Sequence, residues 1–144
     1  MSFALTERQL LDGSKTVTRR VGWRNLKPGD RLLAVRKAMG LKPGEKVQPL
    51  CEIEVVSVRR ERLDAITPAD VLAEGFPQWT NQVGEFVRMF CEHHSVSDGQ
   101  RLTSSGAWTN AHRKMRPDDE VTRIEFRKVP GSERVAVQQP LIAC

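Results

Sequence analysis

The chain has 144 residues, with 23 Lys and Arg against 18 Asp and Glu and a net charge of +5, a length that suits one domain with a real core and is short for two. No apolar run is long enough to span a bilayer, and Glu7 and Arg8 interrupt the first residues, which argues against a signal peptide and for a cytoplasmic protein without a membrane partner. Three scattered cysteines, Cys51, Cys91 and Cys144, suit reduced thiols better than a disulfide framework.

The charge is uneven. Residues 1–62 hold 14 Lys and Arg against 7 Asp and Glu, a net +7, whereas 63–144 hold 9 against 11, a net −2. A basic half suits a polyanion, because phosphates gain from clustered cations by counterion release; a solvated basic surface gives the same count.

In chain order, Thr6-Glu7-Arg8-Gln9 has the form of a capping box, and Gly13 can supply the left-handed residue that stops a short helix over 7–12. Phe3, Leu5, Leu10 and Leu11 are its expected core contacts. Gly13-Ser14-Lys15-Thr16-Val17-Thr18-Arg19-Arg20 then begins a strand in which Thr16, Thr18 and Arg20 share one face. That face suits a polar ligand, with Lys15 free to turn toward the Thr18 hydroxyl as base toward nucleophile. An edge strand whose Lys and Arg discourage pairing would look the same.

Lys27-Pro28-Gly29-Asp30 is a turn signature, repeated at Lys42-Pro43-Gly44-Glu45 without repetition of the flanks. Between them Arg31–Arg36 reads as a strand buried on both faces, and 37–41 as a loop. Leu50–Arg60 alternates well, with Ile53, Val55 and Val58 toward the core and a bulge near Val56. Thr67-Pro68-Ala69-Asp70 starts a helix that Gly75 ends, leaving Glu74 at its terminus. Thr80 or Asn81 caps a second helix to about His93, with Val83, Phe86, Val87 and Phe90 as core. Residues 95–120 show no period and read as a long loop, with Trp108 inside it. Val121–Lys128 alternates and completes the sheet, and 129–144 reads as a tail with no assigned structure.

Cys91-Glu92-His93-His94 with His112 invites a zinc reading, but no second tight ligand pair accompanies it and no metal is expected. The chain has neither a P-loop nor a Gly-x-Gly-x-x-Gly run, so no cofactor is expected either.

Gly13-x-Lys15-x-x-Thr18-x-Arg20, Lys27-Pro28-Gly29-Asp30 before a strand, Ile66-Thr67 leading to Glu74-Gly75-Phe76, and Val121–Phe126 together resemble the ASCH domain of the PUA-like group, over residues 3–128. The resemblance implies an α+β fold, a small PUA-like β-barrel flanked by short helices, in a single domain 1–128. It also implies contact with RNA or a modified nucleoside. Some members hydrolyse the acyl amide of N4-acetylcytidine, and their lysine, threonine and glutamate fall on Lys15, Thr18 and Glu74. Thr16, Arg19, Arg20, Arg24 and Trp23, in and beside the motif, are the expected ligand-binding residues. A non-catalytic RNA-binding or adaptor domain, or a ribonuclease, are the alternatives.

Overall fold

The computed structural model describes residues 1–76 and 79–133. Its elements are α1 (Glu7–Asp12), β1 (Val17–Arg20), β2 (Arg31–Val35), β3 (Pro49–Arg62), a 3-10 turn (Leu63–Ala65), α2 (Pro68–Ala73), α3 (Gln82–His93), β4 (Ser95–Leu102), β5 (Trp108–Lys114) and β6 (Glu120–Lys128). Four strands form an antiparallel sheet in the order β1-β6-β3-β2, and β4 and β5 form a separate two-stranded sheet. This is an α+β fold with a curled half-barrel, as expected of a PUA-like barrel.

The long strand β3 carries the curl. Its register against β6 shifts between Val55 and Ser57, so Val56 is the extra residue and points to solvent, where the alternation slips in the sequence. A bulge raises local twist and bends the strand, which wraps the sheet around Ile53, Val55 and Phe126. β2 is not buried on both faces: it is an edge strand whose Arg31 and Leu33 are exposed, while Ala34 and Val35 are buried and Leu32 packs half-buried against the core. Both Lys-Pro-Gly-acid turns have the same construction. Gly29 and Gly44 have positive φ, and the Asp30 and Glu45 carboxylates accept from the backbone N–H of Lys27 and Lys42 at 2.9 and 2.8 Å.

The two sheet edges are joined by the N-terminal segment. Ser2 bridges Val35 of β2, with the Phe3 N–H donating to the Val35 carbonyl at 2.9 Å, while Arg20 of β1 donates from Nη2 to the Ser2 carbonyl at 2.6 Å. Phe3 is thereby buried, and the Arg20 guanidinium lies 4.9 Å from its ring centroid. Leu5, expected beside it, is instead exposed. The core has two parts, one around Phe3, Leu10, Ile53 and Phe126, the other around Leu63, Val71, Phe86, Phe90 and Val121. Each fully buried side chain of this size contributes roughly 1.5–3 kcal/mol relative to exposure.

The helices end where local chemistry ends them. Thr67 Oγ1 accepts from the Asp70 N–H at 3.2 Å with Pro68 in the first turn of α2, and Asn81 Oδ1 accepts from the Gly84 N–H at 3.3 Å to start α3. The capping box at α1 does not form. Thr6 makes no side-chain cap, and Gln9 donates from Nε2 to the Gly75 carbonyl at 3.1 Å. A tertiary acceptor replaces the local one because α2 ends directly against α1.

Residues 95–120, expected as a long loop, contain an antiparallel hairpin. Both of its faces are largely exposed, so no apolar face writes an alternation into the sequence. Of the expected tail, Ser132 Oγ accepts from the Glu52 N–H at 3.0 Å and Glu133 pairs with Lys128 at 2.7 Å. Residues 134–144, with the short apolar runs at 135–137 and 141–143 and with Cys144, lie outside the described residues. Cys51 and Cys91 are free thiols. Among the described residues no helix is long and apolar enough to cross a membrane.

Gly75 joins fold to site. Its φ is +99°, outside the range of L side chains, and an added Cβ would lie 3.1 Å from Gln9 Cβ and 3.2 Å from Gln9 Cγ. Gly75→Ala is therefore expected to destabilise the protein by about 1–3 kcal/mol. Chemical denaturation measures this, and an unchanged midpoint would show that the α1–α2 contact yields without cost.

Candidate functional site

Three backbone features deliver Lys15. Gly13 ends α1 with φ +81°, the Asp12 carboxylate accepts from the Ser14 N–H at 2.8 Å, and the Lys15 N–H donates to the Gln9 carbonyl at 2.9 Å. The Thr16 N–H then donates to the Ala73 carbonyl at 2.9 Å, which stitches the start of β1 to the end of α2. Glu74, the next residue, therefore meets Lys15.

Lys15 donates from Nζ to Glu74 Oε2 at 2.9 Å and to the Glu74 carbonyl at 2.7 Å. It is 4 % exposed, and burial pushes its amine below the ordinary lysine range against the opposing pull of Glu74. Thr18 is buried on β1, and its Oγ1 accepts from Arg20 Nε at 3.1 Å. Among the described residues no hydrogen bond joins Lys15 to Thr18. Both line one cleft of about 210 Å³, together with Arg20, Glu74 and an apolar wall from Phe3 and Phe90. Burial also lowers the Arg20 guanidinium.

Arg19 and Arg20, both expected to bind ligand, both border the cleft, but their guanidinium groups are held differently. Arg20 lines the cleft beside Thr18. Arg19 is fully covered by Glu61, Asp70 and Glu74, donating at 2.6 Å to Glu61 and at 3.3 Å to Glu74 Oε1, with a further short ion pair to Asp70. Enclosed by three carboxylates, it holds Glu74 in place from the side opposite Lys15. Asp70 in turn binds Arg123 at 2.9 and 3.0 Å, and these hydrogen bonds, ahead of those from Arg19, hold its carboxyl at about 2.

Thr16 is exposed and outside the cleft. Trp23 and Arg24 are also outside it, lining a separate hollow with Val21, Asn25 and Leu26. Trp23 has φ +54°, and the preceding Gly22 carbonyl is fixed by a short hydrogen bond from Thr122 Oγ1, so the loop that presents the indole is pinned to β6. A larger apolar groove of about 570 Å³ on α3 contains none of these residues.

His94 is a cleft residue that sequence reasoning weighed only as a metal ligand. Its ring stacks on Phe90 at 4.0 Å and lies 2.9 Å, through Nδ1, from the Phe90 carbonyl. A carbonyl only accepts, so Nδ1 carries the proton and Nε2 keeps its lone pair; burial lowers its basicity. The i, i+4 spacing of Phe90 and His94 on the face already assigned to the core was the available signal. His93 Nδ1 is likewise placed against the Met89 carbonyl at 2.8 Å, and no group of three or more His, Cys, Asp or Glu able to hold a metal occurs among the described residues.

No family model matches the chain, and no curated protein matches it. Among solved structures it is similar to a protein from Enterococcus faecalis described as DUF984, with a TM-score of 0.52 and 18% identity over 85% of this chain and 66% of that one. The chain thus spans just under two thirds of the length of that protein. At this identity the likeness speaks for the fold alone, a curled antiparallel sheet with short helices. An ASCH domain from Lactobacillus crispatus aligns with a TM-score of 0.47 and 18% identity over 86% of this chain and 70% of that one.

Proposed function

We propose that this protein recognises RNA or a modified nucleoside and that its cleft hydrolyses the acyl amide of N4-acetylcytidine. One observation carries the reading: a buried amine of lowered proton affinity shares a small cleft with a buried threonine hydroxyl and a carboxylate. At about 210 Å³ the cleft is below the roughly 300–1,000 Å³ of pockets that enclose drug-sized ligands, so it suits a base and its acyl arm with the sugar left outside. Phe3 and Phe90 supply apolar walls for such a ring.

In this reading Thr18 Oγ attacks the acyl carbonyl while Lys15, as the neutral amine, takes the hydroxyl proton. The hydrogen bond from Arg20 Nε withdraws density from Oγ1 and eases loss of that proton. The tetrahedral oxyanion is stabilised by the Arg20 guanidinium. Collapse breaks the C–N bond, the Lys15 ammonium returns its proton to cytidine N4, and water then hydrolyses the acyl-threonine. Glu74 orients Lys15 throughout, itself held by Arg19.

Incubation with N4-acetylcytidine and chromatographic measurement of released cytidine tests this. Thr18→Ala is expected to lower turnover at least 100-fold while nucleoside binding survives. Turnover at the level of buffer overturns hydrolysis, and turnover that survives Thr18→Ala assigns the attack to water. The two short contacts from Glu74 to Lys15 favour a second reading, a non-catalytic binding cleft with Lys15 kept as an ammonium. Nucleoside binding without turnover at any pH would select it.

A further inference from the structure

The hairpin β4–β5 leaves the body at the cleft. His94 lines the cleft, β4 starts at the next residue, and the Met115 N–H donates to the His94 carbonyl at 3.1 Å to close the root. Eight residues of strand then reach about 26 Å from it. An isolated two-stranded ribbon is marginal in water, yet this one exposes Trp108 at 68 % and its cross-strand partner Leu102 at 58 %.

Its composition selects a partner. Gln100 opposes Asn110 and Leu102 opposes Trp108, so the period of two puts an indole, an aliphatic side chain and two amides on one face. Arg101 and Thr109 pair on the other. The single acid in 95–114, Asp98, is 3.4 Å from Arg113, which also binds Asp119 at 2.6 Å; Arg101 and Lys114 have no carboxylate partner among the described residues. An exposed aromatic with hydrogen-bonding amides on one face and uncompensated cations nearby is the chemistry that stacks bases and follows a phosphate backbone.

We infer that the hairpin is an arm for single-stranded RNA: it binds nucleotides flanking the one whose base enters the cleft, and Trp108 stacks one of them. This rests on the cleft reading above and names its substrate as an RNA strand in preference to a free nucleoside.

The test compares fluorescence-labelled single-stranded RNA of about twelve nucleotides with free N4-acetylcytidine on the full chain. Trp108→Ala is expected to weaken RNA binding about 5- to 100-fold and leave nucleoside binding unchanged. Arg101→Gln, whose side chain is exposed, is expected to lower the slope of log affinity against log salt by about one. RNA affinity unchanged in both variants overturns the arm, as does RNA binding no tighter than the nucleoside. Self-association that Trp108→Ala abolishes, with RNA binding intact, assigns the surface to a second copy and also overturns it. A cleft that binds no nucleoside while the arm binds RNA would sink the cleft reading alone.

Discussion

Lys15→Met is expected to lower hydrolysis of N4-acetylcytidine by about 10²- to 10⁴-fold and to remove the rising limb of its pH–rate profile. The base form of Lys15 is the amine. Because burial depresses its folded pKa below 10.5, activity should rise as pH passes that depressed value and then level off. The same depression makes the unfolded chain bind more protons than the folded one between the two values, so folding stability also rises with pH there. Methionine fills a similar volume without the charge, and Glu74 keeps Arg19 at 3.3 Å, so the carboxylate is not orphaned. A folded Lys15→Met protein, checked by circular dichroism, that keeps full activity with an unchanged pH profile would remove Lys15 from the chemistry. Loss of activity with the rising limb retained would assign that limb to another group.

Asp70→Asn is expected to destabilise the protein by about 3 kcal/mol at neutral pH, read by urea denaturation. β1 and β6 place Arg19 directly opposite Arg123, and Asp70 binds both guanidinium groups. Asparagine keeps the shape but leaves two like charges across the ladder without their shared counterion. Since the Asp70 carboxyl is held at about 2 against an ordinary 3.8, its contribution is fully present above the ordinary value and is lost as pH falls toward the folded one. Nearly two pKa units correspond to about 2 kcal/mol. Wild-type protein should therefore lose stability between about pH 4 and pH 2 more steeply than Asp70→Asn, and parallel acid curves would show that the ion pairs contribute little. Relaxed support for Arg19 should also loosen Glu74, so this variant is expected to lower activity as well as stability.

Several features were readable because their cause is local. Thr67-Pro68-Ala69-Asp70 and Asn81 name their helix starts because the capping oxygen and the N–H it satisfies lie three residues apart. Gly13 and Gly75 mark helix ends because positive φ is cheap only for glycine. The bulge at Val56 was legible as a slip in alternation, since the strand has one buried face to betray it. The meeting of Lys15 with Glu74 across 59 residues is different. No periodicity encodes it, and only the ordered motif resemblance brought those residues together.

What the sequence by itself determined is the short-range part: where α1, α2 and α3 stop, where the Lys-Pro-Gly turns fall, and that Thr18 and Arg20 share a side of β1 opposite Arg19. Those follow from backbone dihedrals and from a period of two, which act over a few residues. Only the tertiary structure decided that the Arg19 guanidinium is taken up by carboxylates while Arg20 is not, because that depends on α2 packing over the end of the strand and supplying Asp70 and Glu74 to Arg19. It likewise decided that Gln9 serves Gly75 and not its own helix, and that 95–114 pairs as a ribbon with both faces largely exposed. Long-range contacts choose among local alternatives of nearly equal energy, and two adjacent arginines in one strand present such a choice.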